Sequence, residues 1–177
     1  KRLVEAGGMA ATTPADAATD VDALLLMVLN SEQADHSLFG ENGAVTALAP
    51  GAVVILCSTV SPSYVRALAP RLAAHNLLFL DAPVSGGTSR AAQGSLSIMA
   101  AGLPAAFERG APFLDALAEN LYRMGDEPGQ GSTMKLVNQT LAGVQIAAAA
   151  EAIALGAKAG IDPNRIFEVI SSSAGNS

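Results

Sequence analysis

Tryptophan is absent from this 177-residue chain, aromatic residues make up 4% of it, and there is one cysteine, Cys57. A lone cysteine cannot close an intrachain disulfide, and its place in an apolar run makes it a core residue. Lys and Arg number 10 against 16 Asp and Glu, a formal net charge of −6, with no basic run. That balance argues against nucleic acid and anionic membrane as partners. No uninterrupted apolar run reaches about 18 residues, so no membrane span is expected. His36 and His75 have no Cys or acidic partner at metal-ligand spacing; both read as surface residues, and no metal is expected. There is no Gly-x-Ser-x-Gly nucleophile elbow. No Gly-x-Gly-x-x-Gly opens a βα unit: Gly129-Gln-Gly131 precedes a helical pattern, but no long strand leads into it. The start carries no signal-peptide pattern, which makes the cytoplasm the expected location.

What is present is apolar and alternating. Half of the residues are hydrophobic, enough for one globular unit or somewhat more. Ala23–Leu29, Ala52–Cys57 and Leu77–Leu80 are short apolar runs of the kind that form strands buried on both faces. Ser95–Ala101 and Leu121–Met124 suit two further strands. Between them lie helical patterns: short helices over 32–49, broken at Gly40 and Gly43; a helix opened by Ser61-Pro62 and running to about Ala74; and Pro104–Glu119. Ser61 and Asp162 are good N-caps because each is followed by a proline at the first helical position. Strands alternating with helices predict a doubly wound α/β sheet, in which ligands bind beyond the C-terminal strand ends. Asn30, Ser58-Thr59 and Ser85-Gly86-Gly87 occupy that position. Each also suits a turn or a cap, but three polar strand ends on one predicted edge point to a site.

The stretch that organises the rest begins at Gly129. A glycine-rich turn opens a helix expected from about Ser132 to Ala159, rich in Ala and Leu and stopped by Gly160. Lys135, Asn138 and Gln139 stand at i, i+3 and i+4, on one face near its start. A lysine here either covers apolar neighbours with its stem or acts as a general acid/base. Burial and a helix N-terminus both lower a lysine pKa, which suits it to taking a proton from an alcohol.

Asp81-Ala-Pro-Val-Ser-Gly-Gly-Thr-Ser-Arg-Ala-Ala-Gln-Gly94, followed by Ser95-Leu-Ser-Ile-Met99, closely resembles the substrate-binding motif of the β-hydroxyacid dehydrogenases. Gly129-x-Gly-x-x-x-Lys135-x-x-Asn138 resembles that family's catalytic motif, and Glu151 to Asp162 fits its pattern as well. The resemblance covers essentially the whole chain. It implies a Rossmann-type doubly wound domain lacking its N-terminal part over residues 1–128, and the start of an all-helical domain over 129–177. It implies hydride transfer between NAD or NADP and a small hydroxy acid, with Lys135 moving the hydroxyl proton. Ser85, Gly86 and Gly87 would hold the substrate carboxylate, Asn138 and Gln139 would orient the lysine or bind substrate hydroxyls, and Asn30 and Thr59 would line the nicotinamide side. Asn-Gln at 138–139, where many members have Asn-Asn, looks most like the branches acting on tartronate semialdehyde and L-threonate; with Ser173-Ala-Gly-Asn-Ser177 it is nearest the L-threonate type. A homo-oligomer formed through the helical domain is the family expectation. The start at Lys1-Arg2-Leu3 without methionine, and the end at Ser177, read as those of a fragment.

Overall fold

The computed structural model describes residues 2–176; Lys1 and Ser177, the end residues in the fragment reading, lie outside them. By packing, the chain divides into two units, Lys1–Lys135 and Leu136–Ser177.

In the first unit, short helices α1 (Arg2–Glu5) and α2 (Pro14–Ala17) precede strand β1 (Ala23–Leu26). Then come α3 (Ser31–Phe39), a 3-10 turn at Ala44–Thr46, β2 (Val53–Leu56), α4 (Pro62–Ala73), β3 (Leu78–Asp81), β4 (Val84–Ser85), α5 (Gly87–Ala92), β5 (Leu96–Ala101), α6 (Pro104–Leu117) and β6 (Ala118–Gly125). The helix starts read from sequence carry their caps. The Ser61 hydroxyl accepts from the Tyr64 amide and is followed by Pro62.

One six-stranded sheet runs β1-β2-β3-β5-β4, with β6 also paired to β5. β1, β2 and β3 are parallel, and their last residues, Leu26, Leu56 and Asp81, stand in one row. All four residues of β2 are buried. Because side chains alternate across a strand, Val54 and Leu56 face one layer and Val53 and Ile55 the other. The first layer holds Leu38 of α3 and Val65, Leu68 and Leu72 of α4. The second holds Leu80, Ile98 and, from α6, Phe107 and Leu114. Each such aliphatic side chain contributes about 1.5–3 kcal/mol on full burial. Helices on both faces make this the doubly wound α/β architecture that the alternation of runs predicts.

Three details differ from the sequence expectation. The sheet is mixed, since β5 runs antiparallel to β3 and β4 antiparallel to β5. β1 is an edge strand with Leu25 43% exposed, although its run is as apolar as that of β2; composition does not report a strand's place in the sheet. The last strand begins at Ala118, because Ala118 takes extended geometry and joins the ladder beside Leu96. β4 and α5 are too short for periodicity to register. His36 and His75 are exposed, as expected.

Cys57 lies just past β2, 3% exposed, and burial pushes its thiol up to about 12. Thiolate is the reactive form, so iodoacetamide at pH 8 should leave Cys57 unmodified in the folded protein and label it after denaturation. Labelling without denaturant would contradict this packing.

The second unit holds most of α7 (Gln130–Lys158) and all of α8 (Pro163–Ser171), the latter capped by the Asp162 carboxylate on the amides of Asn164 and Arg165. α7 has 29 residues, about 44 Å at 1.5 Å per residue. It is apolar around its whole circumference, and Leu141, Val144, Ile146 and Leu155 are 59–72% exposed. By length and composition α7 could cross a membrane. The rule of an unbroken apolar run did not flag it, because scattered polar residues interrupt the run without making the helix polar. Its first turn, however, is bound into the first unit by a buried carboxylate.

Candidate active site

The parallel row Leu26–Leu56–Asp81 ends on one edge, where the chain leaves β1 through Met27, Val28, Leu29 and Asn30 and β2 through Cys57, Ser58 and Thr59. After β2, the buried Ser58 hydroxyl accepts from the Val28 amide at 2.7 Å and donates to the Leu26 carbonyl at 3.4 Å, tying the loop after β1 to the end of β2. Thr59 follows it and is exposed. Asn30 caps α3, its Oδ1 accepting from the Gln33 amide, while Gln33 Oε1 accepts from the Leu29 amide. Asn30 is thus a helix cap, exposed as a residue, whereas Ser58 caps no helix and bridges two loops. A groove of about 530 Å3 beside it is lined by Val28, Asn30, Glu32, Gln33, His36 and Ser37.

β3 delivers its chain end differently. Asp81 is fully buried. Its Oδ2 accepts from the amides of Gly129 and Ser132, both at 2.8 Å, and its Oδ1 from the Ser132 hydroxyl at 2.6 Å. These donors belong to the first turn of α7, whose N–H groups have no partner within the helix. The cap therefore comes from a strand 48 residues earlier in the chain, not from a neighbouring Ser or Asp. Burial raises the Asp81 carboxyl from its ordinary value, against the pull of these hydrogen bonds. Gly131 makes the approach possible: a Cβ there would run into the Met99 carbonyl oxygen and come within 2.7 Å of that of Asp81. Glycine is the residue that lets a helix end press against sheet backbone.

Two residues beyond Asp81, the Pro83 carbonyl accepts from the Met99 amide, and β4 then sets Ser85 opposite Ser97. Ser85 is half-buried, and Gly86 and Gly87 both take positive φ, +126° and +67°. A Cβ at Gly87 would meet nothing within 4 Å, so backbone conformation, not crowding, calls for glycine there and leaves its peptide open to approach.

Lys135 stands one turn beyond Ser132 and is 6% exposed. No buried side-chain nitrogen or oxygen lacks a partner among the described residues. Desolvation alone moves the Lys135 ammonium, and it moves it below the ordinary lysine value. A cation whose stem is buried, with no counter-charge in salt-bridge reach among the described residues, fits a general base better than a structural ion pair. Asn138 and Gln139 belong to the second unit, where the Asn138 amide donates to the Gln139 side-chain carbonyl at 3.4 Å. Ser58 stands among the polar strand ends that the sequence singles out, but Asp81 and Ser132 carry no role there. Asp81 closes an apolar run and Ser132 follows a glycine turn, but nothing in their spacing pairs them.

The model for the NAD-binding domain of 6-phosphogluconate dehydrogenase matches residues 1–125, and that for the NAD-binding region of NADP-dependent 3-hydroxyisobutyrate dehydrogenase matches 129–177. The chain belongs to the β-hydroxyacid dehydrogenase family. It is 47% identical to an L-threonate dehydrogenase of Cupriavidus necator, over all of this chain and 60% of that protein. It is 35% identical to a 3-hydroxyisobutyrate dehydrogenase of Pseudomonas aeruginosa, over 98% of this chain and 58% of that one. The crystal structure of a 3-hydroxyisobutyrate dehydrogenase from Salmonella typhimurium superposes with a TM-score of 0.94 at 47% identity, covering 99% of this chain and 61% of that one. This β-hydroxyacid dehydrogenase chain thus spans about 60% of the length of relatives it matches.

Proposed function

We propose that the protein carrying this chain is a cytoplasmic NAD(P)-dependent dehydrogenase of small hydroxy acids, with L-threonate the favoured substrate. The observation that carries the reading is Lys135, buried and without a counter-charge among the described residues, near the start of a helix anchored on the sheet's C-terminal strand edge. The residues of that edge fit the nicotinamide end of a dinucleotide: Ser58 fixes the loops after β1 and β2 to each other, and Asn30 and Thr59 are exposed on them. The bound cofactor supplies or accepts the hydride.

The chain's own residues do the rest. Lys135 takes the proton from the substrate hydroxyl during oxidation and returns it during reduction. Ser85, with the amides of Gly86 and Gly87, holds the carboxylate, because glycine backbone admits an anion closely. Asn138 and Gln139 orient the lysine or bind further substrate hydroxyls. In this reading residues 1–128 are the cofactor domain and 129–177 open the helical domain. The apolar side chains exposed on α7 would be covered there, in a homo-oligomer of the full-length protein.

L-threonate is favoured by the 47% identity to enzymes so named and by Asn-Gln at 138–139. A second reading, 3-hydroxyisobutyrate, is supported by the Salmonella structure of that name at the same identity. An assay following NAD(P)H absorbance with L-threonate, 3-hydroxyisobutyrate and matched alcohols lacking the carboxylate tests both. The acids should be oxidised and the plain alcohols should be poor substrates; no turnover of any hydroxy acid with either cofactor would refute the proposal. Ser85→Ala should raise KM for the acid at least several-fold, since a hydrogen bond to a charged group is worth about 1.5–3 kcal/mol. An unchanged KM would return Ser85 to the status of a turn residue.

A further inference from the structure

We infer that Asp81 is a positioning residue for the reaction: it clamps the first turn of α7 to the ligand-binding edge of the sheet and so fixes where Lys135 stands. The inference rests on the dehydrogenase reading for its consequence but not for its geometry. Among the described residues the Asp81 carboxylate accepts three hydrogen bonds, all of them from Gly129 and Ser132. Lys135 lies three residues beyond Ser132, on the next turn of the same helix. Gly131 sits between the two donors with no room for a side chain against the Met99 and Asp81 carbonyls. The helix end is thus held by attraction at the carboxylate and by close contact beside it.

The clamp is long-range in sequence and short in space. β3 brings Asp81 to the row shared with Leu26 and Leu56, so the same residue that ends the strand sets the lysine helix on the edge where the loops carrying Asn30 and Thr59 leave the sheet. A buried carboxylate with this many donors is expensive to remove, because the donors lose their acceptor. A general base must lie within hydrogen-bond reach of the proton it takes, and a displacement of about 1 Å can cost on the order of a hundredfold in rate. Asp81 touches no reacting atom; it acts through α7.

The substitutions separate this role from simple stability. Asp81→Asn can still accept both amides on its Oδ1, while its amide group can donate to the Ser132 hydroxyl, so it should keep kcat within about threefold. Asp81→Ala should lower kcat at least tenfold with KM for the hydroxy acid changed less than threefold, and should speed amide hydrogen exchange at Gly129 and Ser132 in the full-length enzyme. If Asp81→Ala does not fold, Ser132→Ala decides: loss of the one hydroxyl bond should lower kcat about threefold or more and loosen the same amides. A folded Asp81→Ala, or in its absence Ser132→Ala, with wild-type kcat and wild-type exchange overturns the inference. So does an Asp81→Asn as impaired as the alanine variant. A wild type inactive on every hydroxy acid overturns the dehydrogenase reading and the positioning role with it, whereas an active wild type with an indifferent Asp81→Ala overturns the positioning role alone.

Discussion

Lys135→Ala in the full-length enzyme should lower kcat by about a hundredfold or more, the usual scale for losing a general acid/base, with KM for the hydroxy acid changed far less. Desolvation favours the neutral amine at Lys135. The base form is therefore available at lower pH than for an ordinary lysine, and the rate of alcohol oxidation should rise with pH through that lowered value. The reverse reduction needs the ammonium and should fall over the same range. Both limbs should vanish in the alanine variant. Stability rises over the same range. Below the depressed folded pKa the partly desolvated ammonium costs folding free energy, and the cost disappears as pH rises past the unfolded value. Lys135→Met keeps the apolar stem and removes the charge, so it should raise Tm at neutral pH while abolishing turnover. A methionine variant with near-native kcat would remove Lys135 from the chemistry; one that unfolds more easily would show that the charge has a partner in the folded protein.

The sequence made the central helix legible because its signals are local. A glycine turn, a proline-free run of good helix formers and Gly160 bracket α7 to within two residues of its observed ends. The caps at Ser61 and Asp162 were legible for the same reason. The three parallel strands were legible as apolar runs, and their common edge followed from the doubly wound reading. What was not legible is what depends on pairing. Nothing in the run Leu78–Asp81 says that β5 returns antiparallel beside it, or that the β1 run ends up at an edge where Leu25 is exposed. Within the site, Lys135 could be singled out because a lysine in an apolar helix is locally odd. Asp81 could not, because an aspartate after a strand is ordinary until the chain brings Gly129 and Ser132 to it from 48 and 51 residues away. Asn30 shows the converse: its position suggested a ligand contact, while its side-chain oxygen is used by the helix that follows.

Two glycines in α7 should respond to the same substitution with opposite signs. In a helix interior, Gly→Ala stabilises by roughly 1 kcal/mol through backbone entropy. At Gly143 a Cβ meets nothing within 4 Å among the described residues, so Gly143→Ala should gain about that amount. At Gly131 the added carbon would run into the Met99 carbonyl oxygen and crowd that of Asp81. These are backbone atoms of β5 and β3, which cannot turn aside like the end of a flexible side chain. Overpacking of this kind costs about 1–3 kcal/mol. Relief by moving the helix end would stretch the three hydrogen bonds to a buried carboxylate, at about 1–3 kcal/mol for each one broken. The entropy gain is the smaller term, so Gly131→Ala should be destabilised by about 2 kcal/mol or more. Because the displaced turn carries Lys135, kcat should fall on the order of tenfold or more as well. Thermal unfolding of the two alanine variants beside the wild type, followed by their kcat values, measures both effects. A Gly131→Ala protein as stable and active as Gly143→Ala would mean that the helix end does not rest against the sheet.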